Sequence, residues 1–193
     1  GIWIYAAIGD KSEDWWFTFE NNINSSGDTN NVVIQQKNVV FNTSNPKLGT
    51  YSAYFNGNSL TGAFINVSGA GVPTNSNILS VSFWHYGIFS DHIQYVFSWE
   101  DIVVGKGYSV EFRLVAGPYI RIQEYNGVTQ AQARVPTPAG WALNWTHYCL
   151  VVNGTQLIRI VVNGHGDLMT TQNNGLSSID TQNNFLIGGY WTA

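Results

Sequence analysis

The clearest hydrophobic pattern in this chain lies in its last third. Two apolar runs, Tyr148–Val152 and Leu157–Val162, are each followed by Asn-Gly, a pair that tolerates the positive φ angles of tight hairpin turns. In the second run, apolar Ile158, Ile160 and Val162 alternate with residues that include a charge. Such alternation is typical of a strand with one face on a core and one in solvent. The pattern predicts a β-meander.

An equally regular alternation covers Leu79–Tyr86. One face carries Leu79, Val81, Phe83 and His85. The other face carries Ser80, Ser82, Trp84 and Tyr86. Because successive strand residues point to opposite sides, we expect the first set to face a core and the second set to form a mixed polar and aromatic surface.

Similar short runs, separated by segments rich in Asn, Gly and Pro, fill the rest of the chain. Strands are predicted at Ile2–Ala7, Trp15–Glu20, Val32–Ile34, Val39–Phe41, Tyr51–Phe55, Gly62–Val67, Tyr95–Trp99, Tyr108–Val115, Tyr119–Tyr125 and Phe185–Gly188. Asn56-Gly57 predicts a hairpin between the fifth and sixth of these. Gln130–Trp141, with two prolines and a glycine, is expected to cross between sheets. No run has helical spacing, so the fold class is all-β, a sandwich or a barrel.

Length and composition narrow the class of protein. A chain of 193 residues fits a single domain over 1–193. A net charge of −4 offers no basic field for phosphates, which argues against nucleic acid as a partner. No apolar run approaches the roughly 20 residues of a membrane span. Cys149 is the only cysteine, so no intrachain disulfide forms. Only 10% of residues are charged, a surface typical of secreted and virion proteins.

Several weak motifs occur in one order along the chain. They are Trp16–Glu20, the loop Ser25–Asn30, Gly49 with Ser52–Gly57, Ser80–Trp84, Trp145 with His147, Gly154, Ile158–Gly164, and Ile187–Gly189. Their order resembles the laminin-G-like branch of the concanavalin A-like lectin/glucanase superfamily. The resemblance implies a two-sheet antiparallel β-sandwich, a jelly roll. It also favours a structural role for His147.

The resemblance is incomplete at the end of the chain. The family usually continues beyond Ile-Gly-Gly into a closing core strand, which is missing after Ala193. Gly1–Tyr5 has the profile of that strand at the opposite end of the chain. We hypothesise that residues 1–7, chiefly Ile2–Tyr5, fill the vacant slot, because an empty slot would leave core and backbone groups exposed.

Catalysis is not expected. Glucanases of this superfamily use two carboxylates on one strand face, and i, i+2 spacing gives the roughly 5 Å that a retaining pair needs. No two acidic residues have that spacing. Glu111 and the distant Glu124 could form a long-range catalytic pair, and the alternative is that both are solvated strand residues or partners in salt bridges. Nucleophile-elbow, phosphate-loop and zinc-protease motifs are absent. A zinc site would need the scattered histidines to assemble across strands.

Calcium is the metal that the resemblance implies. Asp28 in the first polar loop and Asp167 after the meander are the candidate ligands, the alternative being that both are turn residues. Sugar binding by modules of this kind uses aromatic faces. Trp84 and Tyr86 are the first candidates for an exposed platform and Trp99 and Trp141 the second, unless these rings pack inside the sandwich or against a neighbouring chain.

The sequence therefore predicts a non-enzymatic recognition module on an extracellular, cell-surface or virion surface, binding glycans. The alternative is a structural or decorating subunit of a capsid, fibre or tail, where a neighbouring subunit in a homo-oligomer or larger assembly would be the partner. A glycoside hydrolase with an atypical site ranks third.

Overall fold

The computed structural model describes residues 2–9, 14–17, 19, 21, 31–47, 49–56, 62–69, 78–87, 93–101, 106–113, 119–126, 130–137, 139–153, 157–163, 165–167 and 184–188. Within these ranges the regular structure is entirely β. The strands are β1 (Ile2–Gly9), β2 (Asp14–Phe17), β3 (Asn31–Lys37), β4 (Val39–Asn42), β5 (Ser52–Phe55), β6 (Phe64–Gly69), β7 (Ile78–Tyr86), β8 (Gln94–Asp101), β9 (Lys106–Arg113), β10 (Tyr119–Asn126), β11 (Gln130–Pro136), β12 (Trp145–Asn153), β13 (Leu157–Val162), β14 (His165–Asp167) and β15 (Asn184–Ile187). None of the residues just given belongs to a helix with the length and apolar character needed to cross a bilayer.

The strands form two antiparallel sheets. The eight-stranded sheet has the order β14-β13-β12-β7-β1-β5-β4, with β2 paired to β1 alongside β5. The seven-stranded sheet has the order β11-β10-β9-β8-β15-β6-β3. The predicted two-sheet antiparallel β-sandwich is confirmed.

The predicted meander is also confirmed, and β12 is longer than the apolar run that predicted it. β12 pairs with β13 and β13 with β14, so both Asn-Gly pairs join neighbouring antiparallel strands. Asn163, the first residue of the second Asn-Gly pair, has a φ of 48°. Its N–H donates to the His147 carbonyl over 2.9 Å and its Oδ1 accepts from the His147 N–H over 3.0 Å. The turn is thereby tied back to β12.

One predicted connection is wrong, and a second is right only in part. β5 lies in the eight-stranded sheet and β6 in the seven-stranded sheet, so Asn56-Gly57 does not close a hairpin between them. Of the segment Gln130–Trp141, the first part, Gln130–Pro136, forms β11 in register with β10 from Tyr119 to Tyr125, and the crossing to the eight-stranded sheet comes only after it, before β12. β11 is the edge strand of the seven-stranded sheet, and Pro136 is its last residue, a position at which proline is tolerated.

The core lies between the sheets and is built around aromatic rings. Phe83 of β7 meets Phe97 of β8 edge-on at 5.1 Å between ring centroids, which joins the two sheets. Phe83 also stacks on Tyr148 at 5.5 Å, and Phe97 stacks on Phe185 at 5.5 Å. All four rings are fully buried. Aromatic contacts of this kind stabilise by about 0.5–1.5 kcal/mol each beyond the area that they bury.

Glycines allow two close approaches at the sandwich ends. Gly188, in the closing Ile-Gly-Gly motif, has a φ of 77°, and a Cβ there would overlap the ring of Phe55 from the opposite sheet. A Cβ on Gly87, after β7, would overlap the ring of Trp141. Glycine is therefore required at position 188 both by the backbone conformation and by the packing against Phe55.

β1 occupies an interior position in the eight-stranded sheet. Its residues Ile2–Ile4 pair with β5, and residues Trp3–Gly9 pair with β7. The backbone of Ile2–Tyr5 is therefore hydrogen-bonded within the sheet. That this position is the slot of the family's closing strand, and that 1–193 is one domain, stay predictions.

Candidate functional site

The outward face of β7 carries the residues that the sequence singled out first. Val81, Phe83 and His85 point into the core and are no more than 1% exposed. Ser82, Trp84 and Tyr86 are half-buried and point away from the core. The predicted alternation is confirmed over these six residues, so Trp84 and Tyr86 lie on an outer surface.

β12 extends this surface with two further rings. In the register of β7 and β12, His147 lies opposite Trp84 and Trp145 lies opposite Tyr86. The Trp84 and His147 ring centroids are 5.0 Å apart with the planes tilted by 53°. Tyr86 and Trp145 meet edge-to-face at 5.6 Å. We call these four half-buried rings, Trp84, Tyr86, Trp145 and His147, the aromatic strip.

Polar groups are placed directly beside the strip. A hydrogen bond of 2.7 Å joins Ser82 Oγ to His147 Nε2. Burial, and then the positive charge of Lys47, lower the pKa of His147, so its imidazole is neutral at physiological pH. The strip thus combines flat apolar rings with a hydroxyl and a neutral imidazole.

One cation covers part of the strip. Lys47, in the segment between β4 and β5, places its Nζ 3.8 Å from the Trp84 ring centroid. This is a close cation–π contact, since such pairs are significant out to about 6 Å. Lys47 is half-buried and lies far from Trp84 in the sequence. The contact therefore depends on the fold and has no local sequence signal.

The Ser82–His147 pair has the spacing of a nucleophile and its base but not the surroundings of a catalytic dyad. In the described part of the chain no carboxylate bonds to His147 to orient it. Both residues sit inside paired strands, where backbone N–H groups are committed to the sheet and are not grouped to hold an oxyanion. Burial raises the pKa of the nearby Cys149 thiol, which keeps it protonated and unreactive.

Trp141, a second-choice platform residue, is not at the surface. It is 5% exposed, lies parallel to the buried His85 ring at 6.2 Å with 10° between planes, and fills the space left by Gly87. The expected exposure of Trp141 is wrong, because the glycine opposite it opens a pocket in the sandwich end. Trp99 lies on β8 with its backbone in register with Tyr108, and its side chain is outside the described residues. Ligand binding by Trp84, Tyr86, Trp99 and Trp141 stays a prediction.

The proposed calcium ligands do not come together in the described structure. Asp28 lies outside the described residues. Asp167 ends β14 with its backbone opposite Ile160, and its side chain is likewise not described. No group of three or more His, Cys, Asp or Glu side chains in the described ranges is arranged to hold a metal. Calcium binding stays a prediction.

Glu111 is engaged in the seven-stranded sheet. It is 1% exposed and forms an ion pair with the Nε of Arg121, its direct register partner on β10. Arg121 Nη1 in turn donates to Gln132 Oε1 over 3.2 Å. Glu124 lies in register with Tyr108, three residues from Glu111 along β9. Because the Glu111 carboxylate is buried and paired with the Arg121 guanidinium, we interpret it as part of a structural ion pair and not as one of two catalytic carboxylates.

Sequence reasoning missed Trp145, His147 and Lys47 as parts of the site. The i, i+2 spacing of Trp145 and His147 places them on one strand face, and that signal was available. That this face points outward, with Tyr148 pointing inward, required the burial pattern.

Comparisons with known proteins identify the fold. A family model described as "Concanavalin A-like lectin/glucanases superfamily" (Laminin_G_3) matches residues 60–193. Among solved structures, the botulinum neurotoxin serotype G binding domain is similar at a TM-score of 0.65 and 12% identity, over 95% of this chain and 43% of that chain.

Two further botulinum structures are similar at the same level. The receptor-binding domain of the C/D mosaic serotype has a TM-score of 0.68 and 14% identity, over 96% of this chain and 43% of that chain. The binding domain of neurotoxin DC, solved in complex with rat synaptotagmin II, has a TM-score of 0.67 and 13% identity, over 90% of this chain and 42% of that chain. This chain therefore spans less than half the length of the solved domains. No curated protein matches it.

Proposed function

The chain belongs to the concanavalin A-like lectin/glucanases superfamily, and from that premise we propose that it is a non-catalytic recognition module that binds glycans on its aromatic strip. The observation that carries the proposal is the outward, half-exposed position of Trp84, Tyr86 and Trp145 on adjacent strands. Aromatic rings offer an apolar face to the C–H side of a pyranose, and their polar edges remain available for hydrogen bonds.

The spacing of the strip suits a saccharide. Outward residues two apart on a strand are separated by about 7 Å, so Trp84 and Tyr86 can contact one sugar ring and its neighbour. Ser82 and His147 lie beside them and can exchange hydrogen bonds with hydroxyl groups. Because the strip is built on paired strands, it is held rigidly before the ligand arrives, which limits the entropy lost on binding.

The solved relatives give the proposal a context. Their names describe binding and receptor-binding domains, and one of them is solved with rat synaptotagmin II. We take this, together with the sparse charge of the chain, as support for an extracellular module that meets a surface ligand. What a longer protein that contains this sequence binds or does is likewise a proposal.

Glycan binding by strip variants tests the proposal. The protein is applied to a glycan array with and without calcium, and the best ligand is titrated into wild type and Trp84→Ala. We expect loss of a central aromatic contact to cost about 2 kcal/mol or more, roughly a 30-fold weaker Kd. Tyr119→Ala is the matched control, because Tyr119 is also half-buried but lies on the seven-stranded sheet. An array without any binding, or equal losses in both variants, would refute the proposal.

An assembly subunit is the second candidate, and one row of residues favours it. Across the eight-stranded sheet the register joins Val40 to Tyr54, Tyr54 to Trp3, Trp3 to Tyr86 and Tyr86 to Trp145. Val40 at the edge of this row is 48% exposed. The exposed Val40 and the half-buried Tyr54, Tyr86 and Trp145 of this row also suit a neighbouring subunit. Light scattering decides: a stable oligomer that Val40→Lys dissociates would favour assembly, and a monomer would favour the recognition module.

A further inference from the structure

Two cations in the described part of the chain lie over aromatic rings. Arg134 lies 5.7 Å from the ring centroid of Tyr119 on the seven-stranded sheet, and Lys47 lies closer, 3.8 Å from that of Trp84 in the strip. Arg121 is neutralised by Glu111, its partner on the next strand. Lys47, by contrast, contacts the Trp84 ring, and within the described ranges no carboxylate is paired with it. The chain as a whole carries a net charge of −4, and Lys47 supplies a positive charge directly on the strip.

The position of Lys47 bears on what the strip can bind. Its ammonium group lies over the Trp84 ring, where a neutral sugar would stack, so such a ligand must displace the cation-π contact without replacing it. A ligand with an anionic group meets a different situation. It can draw the ammonium group from the ring face into a charge-assisted hydrogen bond, which is stronger than the neutral kind, while Trp84 becomes free to stack.

The groups around Lys47 fit the same chemistry. Ser82 and His147 lie next to Trp84, and because their mutual hydrogen bond uses one of their two protons, the pair keeps one donor, an O–H or an N–H, for an anionic oxygen. Tyr86 and Trp145 form the next outward-facing pair along the two strands, about 7 Å from Trp84 and His147. A sugar ring can lie there while its acidic substituent reaches Lys47.

We propose that the ligand of the strip is an acidic saccharide, whose carboxylate or sulfate is bound by Lys47 beside Trp84 and whose sugar ring lies on Tyr86 and Trp145. This rests on the proposed glycan-binding function and specifies its ligand class. Carboxylated and sulfated sugars share the recognition chemistry, and the experiment separates them.

The test uses matched glycans and matched charge variants of the whole chain. Neutral oligosaccharides and their carboxylated and sulfated counterparts are arrayed, and the best acidic ligand and its neutral counterpart are titrated by calorimetry. The variants are Lys47→Gln, Lys47→Arg and Lys37→Gln. Lys37 is an exposed lysine on the edge strand of the other sheet, so its change removes one charge far from the strip.

We expect the acidic ligand to bind wild type at least tenfold more tightly than its neutral counterpart. Lys47→Gln should abolish that preference, whereas Lys47→Arg and Lys37→Gln should keep most of it. The preference should also fall as salt is raised, because the contact lies near the surface. Comparison of the two acid types shows whether carboxylate or sulfate is the natural group.

Other outcomes overturn the inference in distinguishable ways. Equal binding of neutral and acidic glycans, with Lys47→Gln matching Lys37→Gln, would refute the acidic ligand while leaving glycan binding intact. A poly-glutamate peptide that binds as tightly as the acidic glycan, with the same loss in Lys47→Gln, would show that charge alone is recognised. Absence of binding to every glycan would refute the proposed function and this inference together.

Discussion

His85 makes the stability of this sandwich depend on pH. Its ring is 1% exposed, lies parallel to Trp141, and meets the Tyr148 ring edge-on at 6.3 Å. Burial lowers the pKa of His85 from 6.5 to about 3, against a smaller opposing effect of its hydrogen bond with Gln94. The folded protein therefore keeps this imidazole neutral over the pH range in which the unfolded chain protonates it.

The sign and size of the effect follow from proton linkage. Below pH 6.5 the unfolded state binds a proton that the folded state excludes until about pH 3, so the free energy of unfolding falls as the pH falls through this window. Each pH unit well inside the window costs about 1.4 kcal/mol. Between pH 7.5 and pH 5 the loss from His85 is about 2 kcal/mol, a large part of the 5–15 kcal/mol that is typical of a domain.

Urea denaturation at several pH values between 7.5 and 5 measures this dependence. His85→Phe keeps a ring between Trp141 and Tyr148 but cannot bind a proton. We expect its unfolding free energy to lose about 2 kcal/mol less than wild type over that range, whatever its stability at pH 7.5. His147→Gln is the control. Because His147 is only half-buried, replacing it should change the dependence of the unfolding free energy on pH less than His85→Phe does. Parallel slopes for wild type and His85→Phe would refute the reasoning.

Two further predictions concern the packing of the fold. Gly188→Ala should lower the free energy of unfolding by about 2–5 kcal/mol, because the backbone there is left-handed and the new Cβ would overlap the Phe55 ring. Gly62→Ala is the control: its φ is 55° but the space around it is open, so we expect a loss of only about 1–2 kcal/mol. Equal losses of the two variants in urea denaturation would argue against the overlap. Arg121→Met should lower the free energy of unfolding by about 3–5 kcal/mol, because it leaves the Glu111 carboxylate buried without its partner. The double variant, with Glu111→Met added, should regain most of that loss, and a double variant no more stable than the single one would contradict this.

Most of the fold could be predicted because strand alternation is a local signal. The inward positions of Val81, Phe83 and His85 follow from a period of two, and the Asn-Gly pairs around β13 identify its hairpins. Pairing between distant strands is not local. Asn56-Gly57 predicted a hairpin, yet β5 and β6 belong to different sheets. β11 is hard to predict because Pro136 and Pro138, at and just after its end, are also typical of loops.

The candidate site was predictable only in part. The outward position of Trp84 and Tyr86 follows from the alternation of β7. The burial of Trp141 depends on the space at Gly87, and the contact of Lys47 with Trp84 depends on where the segment after β4 crosses the sheet. Neither has a signature within a short window of sequence, because both are produced by tertiary packing.

The most direct test of the central claim is to observe where a glycan binds. Tryptophan indole N–H signals are assigned by NMR and followed while the best acidic glycan from the array is added. The account predicts that the signals of Trp84 and Trp145 shift with a common Kd and that the signal of buried Trp141 does not. Shifts confined to the side-chain amides of Gln123 and Gln132, on the seven-stranded sheet, with Trp84 and Trp145 unchanged, would contradict it.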